Sequence, residues 1–223
     1  MDLDQVLNLR LASIYTHAQD PSRVLPRSFG NFLDPAVVAP TPDDGGFTPC
    51  VCIDTDNLVY LVNDGPAVTT PPQIFANGVL QDPSVAIWSP AANVDGKGII
   101  AGLQFRLNVV LSYDISVRFG GSVDGSGVPI TNPVTMLFWM LVDYLGWTAA
   151  DFDRGTCERS SLDMDILSYT AHWCFNENGK TVREWLMEIL PTYHTDFVET
   201  GQGQLAILLD RSLTTFTVTP DYH

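Results

Sequence analysis

Residues 51–88, VCIDTDNLVYLVNDGPAVTTPPQIFANGVLQDPSVAIW, decide the fold. Apolar runs of strand length are separated by Asp-Thr-Asp-Asn, Asn-Asp-Gly and Asn-Gly. Such residues make turns because short polar side chains bond their own backbone and glycine tolerates positive φ. Strand candidates lie at 50–54, 58–62, 72–80, 84–88, 98–105 and 108–119, with a further turn at NVDGKG, 93–98. Short, closely punctuated strands predict an antiparallel sandwich or barrel-like domain over residues 50–125.

On the N-terminal side, MDLDQVLNLRLASIYTHAQD (1–20) mixes helical spacing with alternation at Leu7, Leu9 and Leu11, and strand is favoured. Prolines recur through 21–49 and Asp-Gly-Gly interrupts, so residues 1–49 read as a first strand and an extended arm able to lie across a neighbour. On the C-terminal side, GGSVDGSGVPITNP (120–133) is a connector, and 126–223 form a smaller α+β module. Asn132 followed by Pro133 pairs a capping side chain with a first-turn proline, starting a helix that ends at Gly146. An acidic stretch, 151–167, reads as irregular. SYTAHWCF (168–175) alternates, placing Tyr169, Ala171, Trp173 and Phe175 on one strand face. ENGK (177–180) turns the chain, and Thr181 with Glu184 forms a capping box before a helix whose core stripe is Leu186, Ile189 and Leu190. A hairpin over 195–212 and a last strand at TTFTVTP (214–220) complete an α+β, mainly β chain.

The chain has 223 residues, 11 Lys+Arg against 26 Asp+Glu and a formal net charge of -15, which disfavours nucleic acid and anionic lipid as partners. Its 45% hydrophobic and 17% charged residues suit an ordered chain. No run approaches the roughly 18 apolar residues of a membrane span. The N-terminus lacks the basic start and apolar core of a secretory signal, so synthesis and assembly in a cytoplasm are expected, with Cys50, Cys52, Cys157 and Cys174 as thiols.

Chemistry is sparse. There is no G-x-S-x-G, and His17, His172, His194 and His223 sit in contexts that recommend none as a base. Asp151-Phe-Asp153-Arg-Gly155 begins like a calcium loop but lacks its continuation. No phosphate-binding loop or cofactor motif is present. Cys50-Val-Cys52 and His172-Trp-Cys174 each put two possible metal ligands on one strand face, which together would offer a tetrahedral S₃N site. Buried thiols packing in a β core are the commoner use of such residues. Trp88, Trp139, Trp147, Trp173 and Trp185 would suit a sugar platform if exposed, although each lies in an apolar element.

Two stretches resemble tail-tip proteins of long-tailed bacteriophages. LPRSFGNF, followed by residues 51–80, is similar to a segment in which P-x-x-[YF]-G precedes a D-x₅-Y-L-V-x-D strand pair and an N/D-G-V hairpin. The match rests on Pro26, Phe29, Gly30, Asp54, Tyr60, Leu61, Val62, Asp64, Asn77, Gly78 and Val79. The Phe-Gly form departs from the commoner Tyr-Gly. Residues 132–209 resemble the helix, strand, helix, hairpin module of baseplate hub proteins. The resemblance implies a non-catalytic, cofactor-free virion protein that forms a trimeric or hexameric ring or hub with other tail proteins, joining tail tube to receptor-binding apparatus. A carbohydrate-binding module and, further off, a metal-dependent hydrolase using Cys50, Cys52, His172 and Cys174 are the alternatives.

Overall fold

Asp54 ends the first apolar run and builds the turn that follows it, its carboxylate accepting the amides of Asp56 (2.9 Å) and Asn57 (3.0 Å). Strands of this kind, punctuated by local side-chain bonds, make up most of the fold. The computed structural model describes residues 2–34, 48–106 and 114–210. Along them run β1 (Arg27–Phe29), β2 (Thr48–Pro49), β3 (Val51–Asp54), β4 (Val59–Asn63), β5 (Gln73–Ala76), β6 (Val79–Leu80), β7 (Ala86–Asn93), β8 (Ile99–Phe105) and β9 (Ile115–Arg118). The remainder holds α1 (Pro133–Leu145), α2 (Arg154–Ile166), β10 (Trp173–Phe175), α3 (Val182–Ile189), β11 (Thr195–Glu199) and β12 (Leu205–Leu209). The fold is α+β and mainly β. Expected strand 214–220 lies outside the described residues, as does most of the 108–119 run before β9.

Two open antiparallel sheets form the first half, ordered β3-β4-β8-β7 and β2-β9-β5-β6. Cys52, Tyr60, Val62, Leu103 and Phe105 from the first sheet meet Ile74, Ile115 and Val117 from the second in one core. The sheets are open, not a barrel. The opposite face of the first sheet, with Val51, Ile53, Leu61 and Ile100, is also buried, under Ala12, Tyr15 and Leu25. A sheet covered on both faces needs apolar side chains at consecutive positions, which is why 50–54 and 58–62 do not alternate.

The cover is the N-terminal segment. Among the described residues 2–24 there is no strand, only isolated bridges of Val6 with Thr181, Leu11 with Val24 and His17 with Asp54 around a short 3₁₀ turn at Ala12–Ile14. Its described part lies across its own chain. Leu3, Leu7 and Leu9 enter the core of the second half, whereas Ala12 and Tyr15 lie on the first sheet.

The second half packs α1, α2, α3 and β12 around Met136, Leu137, Met164, Leu186, Ile189 and Ile207. The helix starts are as the sequence predicts. Asn132 accepts the amides of Val134 (3.0 Å) and Thr135 (3.2 Å), Gly146 closes α1 at φ 67°, and Thr181 and Glu184 exchange bonds as a capping box. The stretch 151–167, expected to be irregular, is instead largely α2, capped by Asp153. Its buried stripe is Cys157, Ser160 and Met164, and it docks by polar bonds: Ser160 Oγ donates to the Ile207 carbonyl at 2.6 Å. An apolar periodicity search misses a helix anchored this way. The strand expected over 168–175 is shorter, pairing β10 with β1 only from Trp173.

The β1–β10 pair joins the halves, and Gly30 lets them approach. Gly30 has φ 95°, and a Cβ there would overlap the Ala171 carbonyl oxygen. Gly127, at φ 79°, has open space around it. Gly127→Ala is therefore expected to lose about 1 kcal/mol from backbone strain alone, and Gly30→Ala about 3 kcal/mol or more. Urea denaturation of both variants checks this, and equal losses would show that position 30 is not sterically closed.

Candidate functional site

The turn after β4 carries Asn63, Asp64 and Gly65 to the seam between the halves. A register shift between Leu61 and Asn63 against β8 interrupts the alternation at this end of the strand. Asn63 is fully buried and acts as a polar rivet. Its Oδ1 accepts the Ser28 amide at 2.8 Å, and its Nδ2 donates to the Gly65 carbonyl (3.1 Å) and Ser122 Oγ (3.1 Å). Ser122 Oγ in turn donates to the Ser28 carbonyl at 2.7 Å.

Asp64 follows, its side chain 1% exposed. Its amide donates to the Pro26 carbonyl at 2.7 Å. Arg10 grips the carboxylate with two nitrogens, Nε at 2.9 Å from Oδ2 and Nη2 on Oδ1. Tyr144 Oη donates to Oδ2 at 2.9 Å. Arg27 Nη1 donates to the Asp64 carbonyl, and its Nη2 lies 3.4 Å from Asp143 Oδ2. Three segments thus converge on one acidic residue.

A cleft of about 600 Å³ opens over this cluster, lined by Arg10, Arg27, Asp64, Trp139, Asp143 and Tyr144 among others. Its electrostatics are closed on themselves. The hydrogen bond to Asp64 raises the Arg10 pKa and fixes its charge. Burial, reinforced by Asp64, raises Tyr144 and keeps it a donor. Burial also raises Asp143, with Arg27 opposing it. The two guanidinium groups are matched by these two carboxylates. Both carboxylate oxygens of Asp64 already accept hydrogen bonds, from Arg10 and Tyr144. The arrangement is suited to holding segments together.

The candidate metal ligands do not assemble. Cys50 and Cys174 come near enough for the ionisation of one to oppose that of the other, but Cys52 interacts with Tyr60, and His172 Nε2 lies 3.0 Å from Thr170 Oγ1. Cys174 faces Ser28 across the β1–β10 pair. Among the described residues no group of three or more His, Cys, Asp or Glu could hold a metal ion. Cys50 and Cys174 approach each other, but the four side chains are not gathered into one S₃N set. Nor do the tryptophans form a sugar platform: Trp147 and Trp185 are buried, and Trp88, Trp139 and Trp173 are half-buried against the cores. Among the described residues no helix is long and apolar enough to cross a membrane.

Sequence reasoning missed Arg10, Arg27 and Tyr144. Asp64 was visible only as part of a turn and of the Y-L-V-x-D pattern. Nothing local marks an aspartate whose partners are 54, 37 and 80 residues away.

Two outcomes are expected. Asp64→Asn, which keeps the shape and removes the charge, strands Arg10 in a half-buried site and should lower stability by about 3 kcal/mol or more. The apolar double variant Asp64→Leu/Arg10→Met should be less damaging than the sum of its single changes, as a double-mutant cycle in urea would record. At alkaline pH, burial has pushed Cys174 up to about 11, and Tyr15 and Tyr60 up to about 12. These acids keep their protons in the folded chain after they ionise in the unfolded one. Their contribution is complete below roughly pH 8.5, where unfolded thiols begin to ionise, and is lost as pH rises through about 11. Unfolding free energy measured from pH 7 upward should fall over that window, less steeply in Cys174→Ser.

Compared with protein-family models, curated proteins and solved structures, the chain matches none.

Proposed function

We propose that this chain is a non-catalytic structural subunit of the tail tip of a long-tailed bacteriophage. In this reading it assembles with copies of itself and with other tail proteins, as a trimer or hexamer, into a ring or hub between tail tube and receptor-binding apparatus. It is made and assembled in the host cytoplasm and resides in the virion.

One observation carries the reading: eight of the eleven residues that support the resemblance, all but Asn77, Gly78 and Val79 of the β5–β6 hairpin, lie where the fold is held together. The Pro26 carbonyl accepts the Asp64 amide, Phe29 is buried in the second core, and Gly30 permits the close approach at Ala171. Asp54 builds its turn, Tyr60 and Leu61 pack on opposite faces of one sheet, and Asp64 gathers the seam cluster. A motif of this kind preserves a shape, as an assembling scaffold requires, rather than presenting reactive groups. Contacts between subunits have material in the exposed apolar side chains of the β5–β6 hairpin, Val79 at 63% and Leu80 at 58% exposure. These belong to an edge strand with no charge or proline of its own to block pairing.

Sedimentation of the purified chain should show a concentration-dependent trimer or hexamer. Val79→Lys/Leu80→Asp should yield monomers with unchanged unfolding free energy, and label attached to the chain should appear at the tail tip in images of particles. A chain that stays monomeric at high concentration and is absent from particles would end the reading.

A further inference from the structure

The N-terminal segment is tied to the second half by a ladder. Arg183 N–H bonds the Leu3 carbonyl at 2.9 Å, Val182 N–H the Gln5 carbonyl at 2.9 Å, and Leu7 N–H the Lys180 carbonyl at 3.0 Å. Past that point the backbone partner runs out, because the chain turns at Asn178-Gly179. The Asn178 side chain continues the ladder. Its Oδ1 accepts the Leu9 amide at 2.7 Å and its Nδ2 donates to the Leu9 carbonyl at 3.2 Å. A primary amide is the one side chain that imitates both groups of a peptide.

Asparagine followed by glycine is also the dipeptide most open to cyclisation, since glycine offers no side chain to shield its nitrogen. Gly179 has φ 96° and open space around its Cα. From this coincidence we infer that Asn178 is a modification site whose deamidation releases the N-terminal segment in one direction only. The Gly179 nitrogen, losing its proton to hydroxide, bonds to Asn178 Cγ; the Cγ–Nδ2 bond breaks and ammonia leaves. Water then opens the imide at either carbonyl to give aspartate or isoaspartate. Aspartate lacks the donor to the Leu9 carbonyl and sets a negative oxygen against it. Isoaspartate adds a methylene to the main chain and shifts Lys180 and Thr181 out of register with the ladder. In the closed latch both amide atoms are engaged, so the reaction proceeds from the opened form and prevents its closing again.

The exposed Asn77-Gly78 turn serves as internal reference. Its conversion leaves the N-terminal segment untouched, because the bond that Asn77 Oδ1 accepts comes from the Asp114 amide just before β9, away from that segment. The inference is independent of the assembly reading, since its readouts need only the isolated chain.

The test is incubation of the full chain at mildly alkaline pH and 37 °C, with peptide mapping of the roughly 1 Da mass gain and limited trypsin digestion after Arg10. Conversion is expected at Asn178, and Asn178→Asp, made directly, should be cut after Arg10 about tenfold faster than the parent, because cleavage tracks the opened population. Absence of conversion at Asn178, with or without conversion at Asn77, would overturn the inference. So would an Asn178→Asp variant cut at the parent rate.

Discussion

A carboxylate that is 1% exposed survives in a protein only when its charge and its lone pairs are met, and at Asp64 Arg10 and Tyr144 meet that demand. Arg10 comes from the N-terminal segment, Arg27 from β1, Tyr144 from α1, and the Pro26 carbonyl takes the Asp64 amide. Each partner is fixed in turn: Arg10 Nη1 donates to the Lys97 carbonyl at 2.6 Å, and the Arg27 guanidinium lies 5.5 Å from the centre of the Phe29 ring. Withdrawing Arg10 leaves the buried Asp64 charge without its counter-ion, so the seam has a single favourable arrangement. The two halves are thereby held in one register.

Around that seam the N-terminal segment does two jobs with one stretch of chain. Leu3, Leu7 and Leu9 fill the second core and Ala12 and Tyr15 cover the first sheet, so the apolar surface of both halves is incomplete without it. β1 has an equally divided role, paired with β10 on one side and bonded through Ser28 to Asn63 and Ser122 on the other. Neither half has the means to close its core alone.

What the sequence disclosed follows from how local each cause is. The Asn77-Gly78 hairpin, the Asn132 cap and the Thr181–Glu184 box were legible because the groups that satisfy them lie within four residues. The consecutive apolar residues of 50–54 and 58–62 announced strands, but burial on both faces needed a cover that only the folded chain reveals. α2 was not legible because Ser160 and Cys157 anchor it through hydrogen bonds to β12 carbonyls, leaving no apolar stripe to count. The Cys and His pairs had the right spacing for a metal, but only Cys50 and Cys174 draw near each other, while Cys52 and His172 have other neighbours. The seam cluster, finally, joins residues 10, 27, 64 and 144, a separation at which a single sequence carries no signal.

If Asp64 governs the seam as described, the two halves unfold together. Native-state hydrogen exchange measures this directly, through the opening free energies of slowly exchanging amides in β4 and β8 on one side and in α1, α3 and β12 on the other. The account predicts one shared value for both sets, and an equal fall in both when Asp64 is changed to Asn. Two distinct values, or a fall confined to one half, would contradict it.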